Sequence, residues 1–545
     1  MAMYAVFNQP PPLEPCDPFA GDAALREAVA RENAGWAAPE LAAFGALLGQ
    51  ADTIRLGFDA NRNPPQLRAF DRYGRRIDEV EFHPAWHRLM AIGMAAGLHS
   101  APWAAPRAGA HVARAAGCYM MAQIESGICC PIAMTYGAVP TLRQADALAT
   151  EWLPRIFARD YDPRCRPAAE KTAVLIGMAM TENQGGSDLR TNTARAEPDP
   201  GAGPGIYRLH GHKWFMSAPM CDAFLVLAQA RGGPSCFFVP RWTPDGRRNA
   251  IHLQRLKDKL GNRSNASSEV EFADAHAELV GEEGRGIPTI IAMSNYTRLD
   301  CAIGSAGLMR QAVAQAIHHA AHRTAFQKKL VDHGLMANVL ADLALEQEAA
   351  TVLALRLARA YDETDTAAAV WRRVITPAAK FWICKRAPAL AAEAMEVLGG
   401  NGYVEESVLP RIFRELPVNS IWEGSGNIMC LDVLRALDRM ADAAALLRDE
   451  LAEGARADAR LAGLVARLER RLADRAGADE TQARAFTREL VLALQATLLL
   501  RHAPSVVAEA FCASRLSGEA AGVFGMLPPG TALRPIIERA ALAAG

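Results

Sequence analysis

Apolar residues in the first part of the chain recur at the spacing of a helix. From Ala23 to Thr150 the sequence is rich in Ala, Leu and Met, placed three and four residues apart. A Pro- and Asn-containing stretch at residues 61–65 and two later prolines interrupt this pattern. We therefore expect a helical domain with some long connections over residues 1–176.

Short apolar runs replace this spacing between about residues 206 and 280. The runs are bounded by Gly, Pro and Asp, and residues 232–233 and 245–246 are turn signals of the kind that joins antiparallel strands. The pattern predicts a small β domain over residues 177–288, with strands that include residues 224–228, 236–239 and 269–272.

Helical spacing returns after Pro288 and predicts a helix bundle over residues 289–438. One stripe recurs every three or four positions, as the buried face of a single helix would. Beyond Asp438 the chain continues as an Ala-, Leu- and Arg-rich helical segment, and the last lysine is Lys385. That change in usage predicts a fourth domain over residues 439–545. The members of the stripe are Leu340, Leu343, Gln347, Ala350, Ala354, Leu357 and Tyr361.

Composition excludes several classes of protein. The 545 residues carry 59 Lys and Arg against 60 Asp and Glu, and 50% of them are hydrophobic. A chain of this length and hydrophobic content has ample core, which excludes global disorder. Its net charge of −1 gives no whole-molecule attraction to phosphate, so any contact with nucleic acid must come from a local patch.

Cysteine usage and the first residues of the chain favour the cytoplasm. The 11 cysteines are odd in number and lack Cys-x-x-Cys spacing, which indicates reduced thiols; we predict neither disulfides nor a metal site. Residues 1–17 lack the basic and then apolar pattern of an export signal. No apolar run approaches the roughly 20 residues of a membrane helix. We expect a soluble cytoplasmic protein without membrane contact.

Three Gly-containing segments offer backbone and side-chain groups to a ligand. The first, residues 180–188, sets paired glycines beside Thr, Ser and Asp, which forms a cradle for phosphate or for the polar edge of a ring. The second, residues 396–403, has three glycines that let the backbone approach a ligand closely. In the third, residues 421–427, Glu423 stands between an aromatic residue and a glycine, as an isolated carboxylate would. Taken singly, each segment is more simply an ordinary turn.

Taken together, in this order and at this separation, the segments resemble the two signature patterns of the acyl-CoA dehydrogenase family. The first pattern departs only at Thr191, where the family usually has Gly, Ser or Ala, and the second matches from Glu396 to Glu415. The resemblance covers roughly Ala23 to Leu437. It implies the acyl-CoA dehydrogenase fold, which is mainly α with a small β domain, and here with an extra C-terminal helical domain.

The resemblance implies FAD as the cofactor, bound between the β domain and the second helical bundle. Ser217 occupies the position whose hydroxyl approaches flavin N5, where a hydrogen-bond donor stabilises charge on the reduced ring, and Phe215 replaces a common Trp. The other residues expected to contact FAD from the first motif and the β domain are Met180, Thr181, Gly186, Ser187 and Trp214. From the helical bundle they are Gly399, Gly400, Ile421, Trp422, Gly424 and Asn427.

Arg323 and Phe326 resemble the family's Arg-x-x-Phe, which reaches the FAD of a neighbouring subunit. A guanidinium offers a fork for phosphate oxygens. Because one FAD site would then draw on two chains, the resemblance implies a homotetramer built as a dimer of dimers. Gln327 replaces the Gly that often follows that Phe, which leaves the shape of this loop open.

Glu423 matches the family's catalytic base, which takes the α-proton of an acyl thioester while a hydride moves from the β-carbon to flavin N5. Such a base needs a dry pocket and a raised pKa. Some members place the base near the position of Thr297, where threonine cannot serve. A structural carboxylate that orients the flavin pocket is the alternative role for Glu423. Arg298 would hold substrate or pair with Asp300.

The C-terminal segment, residues 436–545, is electrically neutral, with 14 arginines and 14 acidic residues. Such a balance is typical of a helical surface laced with salt bridges. Some arginines nevertheless recur at three- and four-residue spacing, so one helix face would present a basic stripe to phosphates. The stripe consists of Arg467, Arg470, Arg471 and Arg475.

A closer resemblance within the family extends over several segments and over the extra C-terminal domain. It is to members that act in the bacterial adaptive response to alkylating agents and are described as binding double-stranded DNA without strong sequence preference. It implies DNA contacts from Arg435 and from the basic stripe. We interpret the chain as a DNA-binding protective protein with weak acyl-CoA dehydrogenase activity. The matching segments are residues 6–10, 82–87, 255–267 and 417–432.

Two alternatives stay open. One is a committed acyl-CoA dehydrogenase with Glu423 as base, whose extra domain serves assembly only. The other is a flavin-dependent enzyme that repairs or destroys alkylating compounds directly.

Overall fold

Segments that are distant in sequence pack into two compact units in the computed structural model, which describes residues 5–473, 479–517 and 522–542. The sheet unit comprises Arg55–Pro106 and Glu125–Thr297. The second unit is helical and includes residues 439–545, which we expected to form a domain of their own. The division into four domains stays a prediction. This helical unit comprises Met1–Ile54, Arg107–Ile124 and Arg298–Gly545.

The sheet unit contains a hairpin followed in the chain by a seven-stranded sheet. The hairpin consists of β1 (Gln66–Phe70) and β2 (Arg76–Glu81). The strands predicted at residues 224–228, 236–239 and 269–272 are confirmed, and the sheet has the order β3-β5-β4-β6-β7-β9-β8. Its strands are β3 (Ile176–Ala179), β4 (Arg195–Pro198), β5 (Ile206–Ser217), β6 (Ala223–Ala230), β7 (Gly233–Pro240), β8 (Ile251–Leu256) and β9 (Ser267–Val280).

Two long antiparallel pairings hold the sheet together. β5 pairs with β9 from Ile206↔Glu278 to Ser217↔Ser267, and β6 pairs with β7 along its whole length. The first six residues of β6 are all buried, as expected of an inner strand that is covered on both faces. β5 therefore has a firm neighbour on its β9 side, which fixes the residues that it presents at its end.

The β1–β2 hairpin lies inside the region predicted to be helical, so that prediction is wrong for residues 66–81. Asp71 explains the turn, because its Oδ1 accepts the backbone N–H groups of Tyr73 (2.8 Å) and Arg75 (2.9 Å). Gly74 has a φ of 80°, in the left-handed region that glycine adopts most readily. The turn chemistry here outweighs the helical tendency of the flanking sequence.

Helices make up most of the remaining described chain, which confirms the mainly helical fold with a β domain. None of the helices among the described residues is both long and apolar enough to cross a membrane. Two short strands, β10 (Thr324–Ala325) and β11 (Lys328–Lys329), form a second hairpin. In chain order the helices are α1 (Ala23–Val29), α2 (Ala38–Leu48), α3 (Ala51–Arg62), α4 (Pro84–Ala95), α5 (Ala101–Ala104), α6 (Ala110–Ile124), α7 (Cys129–Leu142), α8 (Asp146–Ile156), α9 (Gly286–His322), α10 (Gly334–Arg359), α11 (Thr366–Val370), α12 (Thr376–Val397), α13 (Gly400–Tyr403), α14 (Leu409–Asn419), α15 (Gly426–Arg439), α16 (Ala443–Ala457), α17 (Ala459–Ala473), α18 (Ala483–His502), α19 (Ser505–Arg515) and α20 (Leu533–Ala540).

The core of the helical unit contains the predicted stripe of α10 and a buried polar cluster. All seven residues of the stripe are buried, which confirms that prediction. Arg310 of α9 pairs with Asp22 at 3.1 Å, and both side chains are almost fully buried. Tyr119 of α6 donates its hydroxyl to Asp22 (2.8 Å) and accepts from Nε2 of Gln347 (3.1 Å). The cluster joins four segments by hydrogen bonds, so the burial of its charges is compensated.

The last helix, α20, ties the C-terminal segment to the beginning of the chain. Arg539 lies 2.6 Å from Glu27 of α1 and 3.0 Å from Glu348 of α10. Arg310 also donates to the carbonyl of Ala540 at 2.6 Å. The first and last helices of the described chain therefore share one set of ionic contacts.

Candidate functional site

The first Gly-containing segment leaves β3 and lies against the end of β5. The carbonyl of Thr181 accepts the backbone N–H of Trp214 at 2.9 Å. Gly186 packs on the Thr181 side chain so closely that a Cβ there would lie 2.5 Å from Oγ1 of Thr181. Ser187, beside it, is exposed. The structure thus brings together the parts of this segment and of β5 that the sequence assigned to the cofactor.

A fully buried ion pair stabilises the contact between this segment and β5. Lys213 of β5 lies 2.7 Å from Glu182, and both side chains are 0% exposed. Burial would raise the pKa of Glu182, but hydrogen bonds from Gln184, Lys213 and Thr193 outweigh it and lower the pKa to about 2. Burial lowers the pKa of Lys213 to about 8, against the opposing effect of Glu182, so both groups are charged at neutral pH.

The end of β5 presents an aromatic wall. Phe215 is 45% exposed, and Ser217 pairs with Met178 of β3. The ammonium of Lys257 lies 3.6 Å from the centre of the Trp214 ring and 4.7 Å from that of Phe215. An exposed aromatic face beside a hydroxyl and a cation can receive a planar, polar-edged ring.

In the helical unit, Arg323 and Phe326 lie at the β10–β11 hairpin. Phe326 and Gln327 form its two-residue turn, with φ of 47° and 66°, so Gln327 adopts the left-handed conformation without glycine. Asn8 binds the hairpin through both ends of its amide, to the carbonyl (2.7 Å) and N–H (2.8 Å) of Thr324, and its own carbonyl accepts from Arg323 (2.6 Å). Phe326 is 91% exposed, which is unusual for a large apolar side chain.

The second Gly-containing segment presents open backbone. Gly399 has a φ of 60°, and no atom lies within 4 Å of the position that a Cβ on Gly399 or Gly400 would take. The N–H of Gly399 donates to the carbonyl of Glu396 at 2.9 Å, but the absence of side chains at both glycines lets phosphate oxygens approach the backbone here. This segment therefore fits a phosphate-containing ligand.

The third segment comprises the loop between α14 and α15 together with the first two residues of α15, and we call it the Glu423 loop (residues 421–427). Glu423 has a φ of 58° and Gly424 one of 105°, so two successive residues adopt left-handed backbone, which is costly for a glutamate. Trp422 donates its indole N–H to Oδ1 of Asn419 at 3.0 Å, and Ile421 is 64% exposed. Such a strained turn persists only where its surroundings hold it.

Two cations hold the backbone of the Glu423 loop. Nε of Arg298 donates to the carbonyl of Glu423 at 2.9 Å, and Nζ of Lys380 donates to the carbonyl of Gly424 at 2.8 Å. Arg298 also pairs with Asp432 of α15 at 3.0 Å. Asp300, the carboxylate that the sequence offers as a partner for Arg298, instead forms an ion pair with Arg114.

The charges of the loop act on a buried thiol. Burial raises the pKa of Cys301 well above its usual value; Lys380 opposes this effect, and Glu423 adds to it. The Glu423 carboxylate and the Lys380 ammonium therefore both lie close enough to the Cys301 thiol to interact with it electrostatically. Lys380 itself is only 1% exposed. This side of the loop faces a poorly solvated interior, where a carboxylate interacts strongly with its neighbours.

The predicted DNA-contacting arginines lie on two helices. Arg435 is exposed on α15, and Arg467, Arg470 and Arg471 are exposed on α17, opposite its buried leucines. Arg471 pairs with Glu489 at 3.1 Å, whereas within residues 5–473, 479–517 and 522–542 no carboxylate lies within ion-pair distance of the other three. Arg475 lies outside the described residues.

Sequence reasoning missed the residues that support these segments. Lys213 and Glu182 stand in a strand and a turn, where charges usually face solvent, and only the folded structure, in which both side chains are 0% exposed, reveals the pair. Lys380 is an isolated lysine in a largely apolar part of α12, and that isolation is a usable signal. Of the described residues, no group of three or more His, Cys, Asp or Glu side chains is placed to hold a metal ion.

Three family models match the chain in sequence order. They are the adaptive response protein AidB N-terminal domain at residues 8–163, the acyl-CoA dehydrogenase middle domain at 177–275 and the acyl-CoA dehydrogenase C-terminal domain at 284–437. The chain is also 51% identical over 512 residues to the putative acyl-CoA dehydrogenase AidB of Escherichia coli (strain K12). That match covers 93% of this chain and 94% of the relative.

Solved structures show the same architecture. ACDH-11 of Caenorhabditis elegans, in complex with C11-CoA, is similar with a TM-score of 0.86 and 26% identity, over 94% of this chain and 93% of that one. An acyl-CoA dehydrogenase of Bacillus anthracis, complexed with FAD, shares the fold with a TM-score of 0.63 and 18% identity, over 78% of this chain and 80% of its own. Together with the matched motifs, these similarities establish that the chain belongs to the acyl-CoA dehydrogenase family, as an AidB-like member.

Proposed function

We propose that this protein dehydrogenates acyl-CoA at a low rate, with Glu423 as the base, and that it also binds double-stranded DNA in defence against alkylating agents. FAD is its cofactor and supplies the acceptor for the hydride that leaves the β-carbon of the acyl chain. The observation that carries the proposal is the Glu423 loop, whose successive carbonyls are held by Arg298 and Lys380.

The residues present fit this cofactor. The half-exposed Phe215 and the hydroxyl of Ser217 suit the isoalloxazine ring, and the open backbone at Gly399 and Gly400 suits the pyrophosphate. Arg323 at the exposed hairpin offers a guanidinium to phosphate oxygens. The remaining residues that would hold FAD are Met180, Thr181, Gly186, Ser187, Trp214, Phe326, Ile421, Trp422, Gly424 and Asn427.

Glu423 is suited to take a proton from carbon. Its backbone is fixed by two cations and by the start of α15, so the side chain leaves the loop in a defined direction. The buried Cys301 and the buried Lys380 lie on the same side of the loop. The α-proton of an acyl thioester is the acidic group that such a base would remove.

Acyl-CoA is the substrate class that we propose. The similar ACDH-11 structure contains C11-CoA and matches this chain over nearly its whole length, C-terminal helices included. An architecture with the additional helices is therefore compatible with an acyl-CoA ligand. This supports dehydrogenase chemistry in an AidB-like chain.

Anaerobic reduction of the flavin tests this part of the proposal. Acyl-CoAs from C4 to C16 are added to the purified holoprotein, and bleaching of the flavin absorbance is followed with time. Glu423→Gln should slow bleaching by about 10²–10⁴-fold, the contribution of a general base. Glu405→Gln is the control, because Glu405 is exposed and pairs with Arg414 at the surface. Absence of bleaching at every chain length would overturn the proposal.

DNA binding is a second function, favoured by the charge distribution on the C-terminal helices. At least seven C-terminal arginines are engaged in ion pairs with Asp or Glu. Arg467 and Arg470 are exposed on one face of α17 and have no such pair among residues 5–473, 479–517 and 522–542. Exposed guanidinium groups without a carboxylate partner are those that gain most from contact with phosphates. A neutral segment thus keeps a small basic face.

A salt titration tests the DNA proposal. The affinity for a fluorescent 20-base-pair duplex is measured from 50 to 200 mM salt for the parent protein and for the Arg467→Gln/Arg470→Gln variant. Loss of two phosphate contacts should reduce the slope of log affinity against log salt by about 2. Arg195→Gln is the control, because Arg195 is exposed and already paired with Glu197. If the Arg467→Gln/Arg470→Gln variant binds like the parent and the control, this face does not bind DNA.

Protection against alkylation is measured on the same samples. Methylation of the duplex by a methylating agent should fall with added parent protein and fall less with the Arg467→Gln/Arg470→Gln variant. Equal protection by both would show that any protection does not depend on this face.

We further propose a cytoplasmic homotetramer. The 91% exposed Phe326 and the adjacent Arg323 protrude at a rigid hairpin, as residues that are covered by another subunit would. Native mass spectrometry of the parent and of Phe326→Ser tests this: the parent should be tetrameric and the variant should dissociate. A monomeric parent would overturn the proposal.

A further inference from the structure

The appended C-terminal segment touches the Glu423 loop directly. Arg484, in the first turn of α18, donates from Nε to Oδ1 of Asn427 at 2.9 Å. Its Nη2 lies 3.4 Å from the position that a Cβ on Gly426 would take. A guanidinium from outside the matched dehydrogenase domains, which end at residue 437, therefore reaches the first turn of α15.

Arg484 is well anchored at its own end. Ala483, beside it, is 4% exposed and belongs to an apolar cluster with Phe381, Met429 and Cys430. The guanidinium of Arg484 lies 5.7 Å from the centre of the Phe381 ring. Because Ala483 packs on α12 and α15, the backbone that carries the exposed Arg484 side chain is held beside the first turn of α15.

Three cations thus contact the strained turn or the first turn of the helix that follows it. Arg298 binds the carbonyl of Glu423, Lys380 binds the carbonyl of Gly424, and Arg484 binds the side chain of Asn427. The first two belong to the dehydrogenase core, and only the third comes from the appended segment. Left-handed backbone at Glu423 relaxes unless both ends of the loop are held.

We propose that Arg484 is a positioning residue for Glu423, so that the appended segment is part of the catalytic apparatus. This inference rests on the proposed role of Glu423 as base. Loss of the Arg484–Asn427 contact loosens the first turn of α15, which fixes the C-terminal end of the loop, and the carboxylate is then less sharply positioned beside the substrate. The binding of acyl-CoA is unaffected, because Arg484 contacts the loop and not the ligand.

Hydrogen exchange and flavin reduction on the full-length holoprotein test the inference together. Arg484→Ala should increase amide exchange across residues 421–427 at least tenfold. It should lower the rate of bleaching at saturating undecanoyl-CoA by about 10- to 100-fold, the range for a lost hydrogen bond to a charged group. The dissociation constant of undecanoyl-CoA should stay within twofold, and Arg484→Lys should recover part of the rate.

Arg488→Ala is the matched control, because Arg488 lies one turn further along α18, over the Trp382 ring at 5.8 Å, and does not carry the contact with Asn427. It should leave exchange and rate unchanged. A rate drop equal in both variants, or exchange in Arg484→Ala equal to that of the parent, would overturn the inference. If the parent is not bleached by any acyl-CoA, the proposed function fails, and the exchange measurement alone decides whether Arg484 holds the loop.

Discussion

Replacement of Lys213 by Met should destabilise the sheet unit by about 3 kcal/mol. Lys213 and Glu182 are both 0% exposed and 2.7 Å apart, and removal of one partner of a buried pair costs about 3–5 kcal/mol. In Lys213→Met, Glu182 keeps its hydrogen bonds from Gln184, Thr193 and Ala194, which continue to stabilise its charge. The cost therefore lies at the lower end of the range.

Glu182→Gln should cost more, about 5 kcal/mol. It replaces the carboxylate beside the buried Lys213 ammonium by a neutral amide, so the charge of Lys213 loses its counterion. It also turns an NH₂ group toward backbone N–H donors of Thr193 or Ala194. The double variant Glu182→Gln/Lys213→Met should be more stable than Glu182→Gln alone, because it contains no uncompensated charge.

Calorimetry of the holoprotein measures these differences. For a unit of 150–250 residues, 1 kcal/mol corresponds to about 2–4 °C in Tm, so Lys213→Met should lower the transition by about 6–12 °C. Arg195→Gln removes an exposed pair from the same unit and should change stability by less than about 1 kcal/mol. If Lys213→Met melts like Arg195→Gln, the buried pair does not hold the cofactor segment in place, and the reasoning from its burial is wrong.

Three further predictions concern pH, packing and the N-terminal segment. Because hydrogen bonds hold the pKa of Glu182 at about 2, the stabilising effect of its carboxylate should be complete above pH 4.5 and lost as the pH falls toward 2. In urea unfolding, the stability of the parent should approach that of Glu182→Gln over that interval. Gly307→Ala should destabilise by about 1–3 kcal/mol in thermal unfolding, since its Cβ would lie 2.3 Å from the carbonyl oxygen of Tyr119, although Ala favours a helix; a stabilised variant would contradict this. Asn8→Ala should raise hydrogen exchange at the Thr324 amide at least tenfold with little change in Tm, and unchanged exchange would show that Asn8 does not hold the hairpin.

Local patterns in the sequence predicted much of the fold. Apolar residues at three- and four-residue spacing predicted the helix α10, but not its burial on every side between Leu340 and Leu355; β6, β7 and β9 follow from short apolar runs between turn residues. The β1–β2 hairpin was missed because the decisive group, the Asp71 side chain, acts over only four residues within a mainly helical region.

The candidate site could be predicted only as far as its motifs. Glu423 and the glycines are visible because they recur in a known order. Their supports are not visible, because Lys380 and Arg484 act on residues 44 and 57 positions away in the chain. Contacts at such separations depend on the packing of α12, α15 and α18, which no local periodicity encodes.

The contact between Arg539 and Glu27 has a consequence for the synthesis of the protein. The two residues are 512 positions apart, and at about 5–20 residues per second the partner of Glu27 is made about 25–100 s after it. Until then α1 emerges from the ribosome without its ionic partner, and the first helix cannot complete its packing. A chain without Arg539 would leave the buried Glu348 without this ionic partner. Such a chain should be a preferred target of chaperones and proteases until the contact forms.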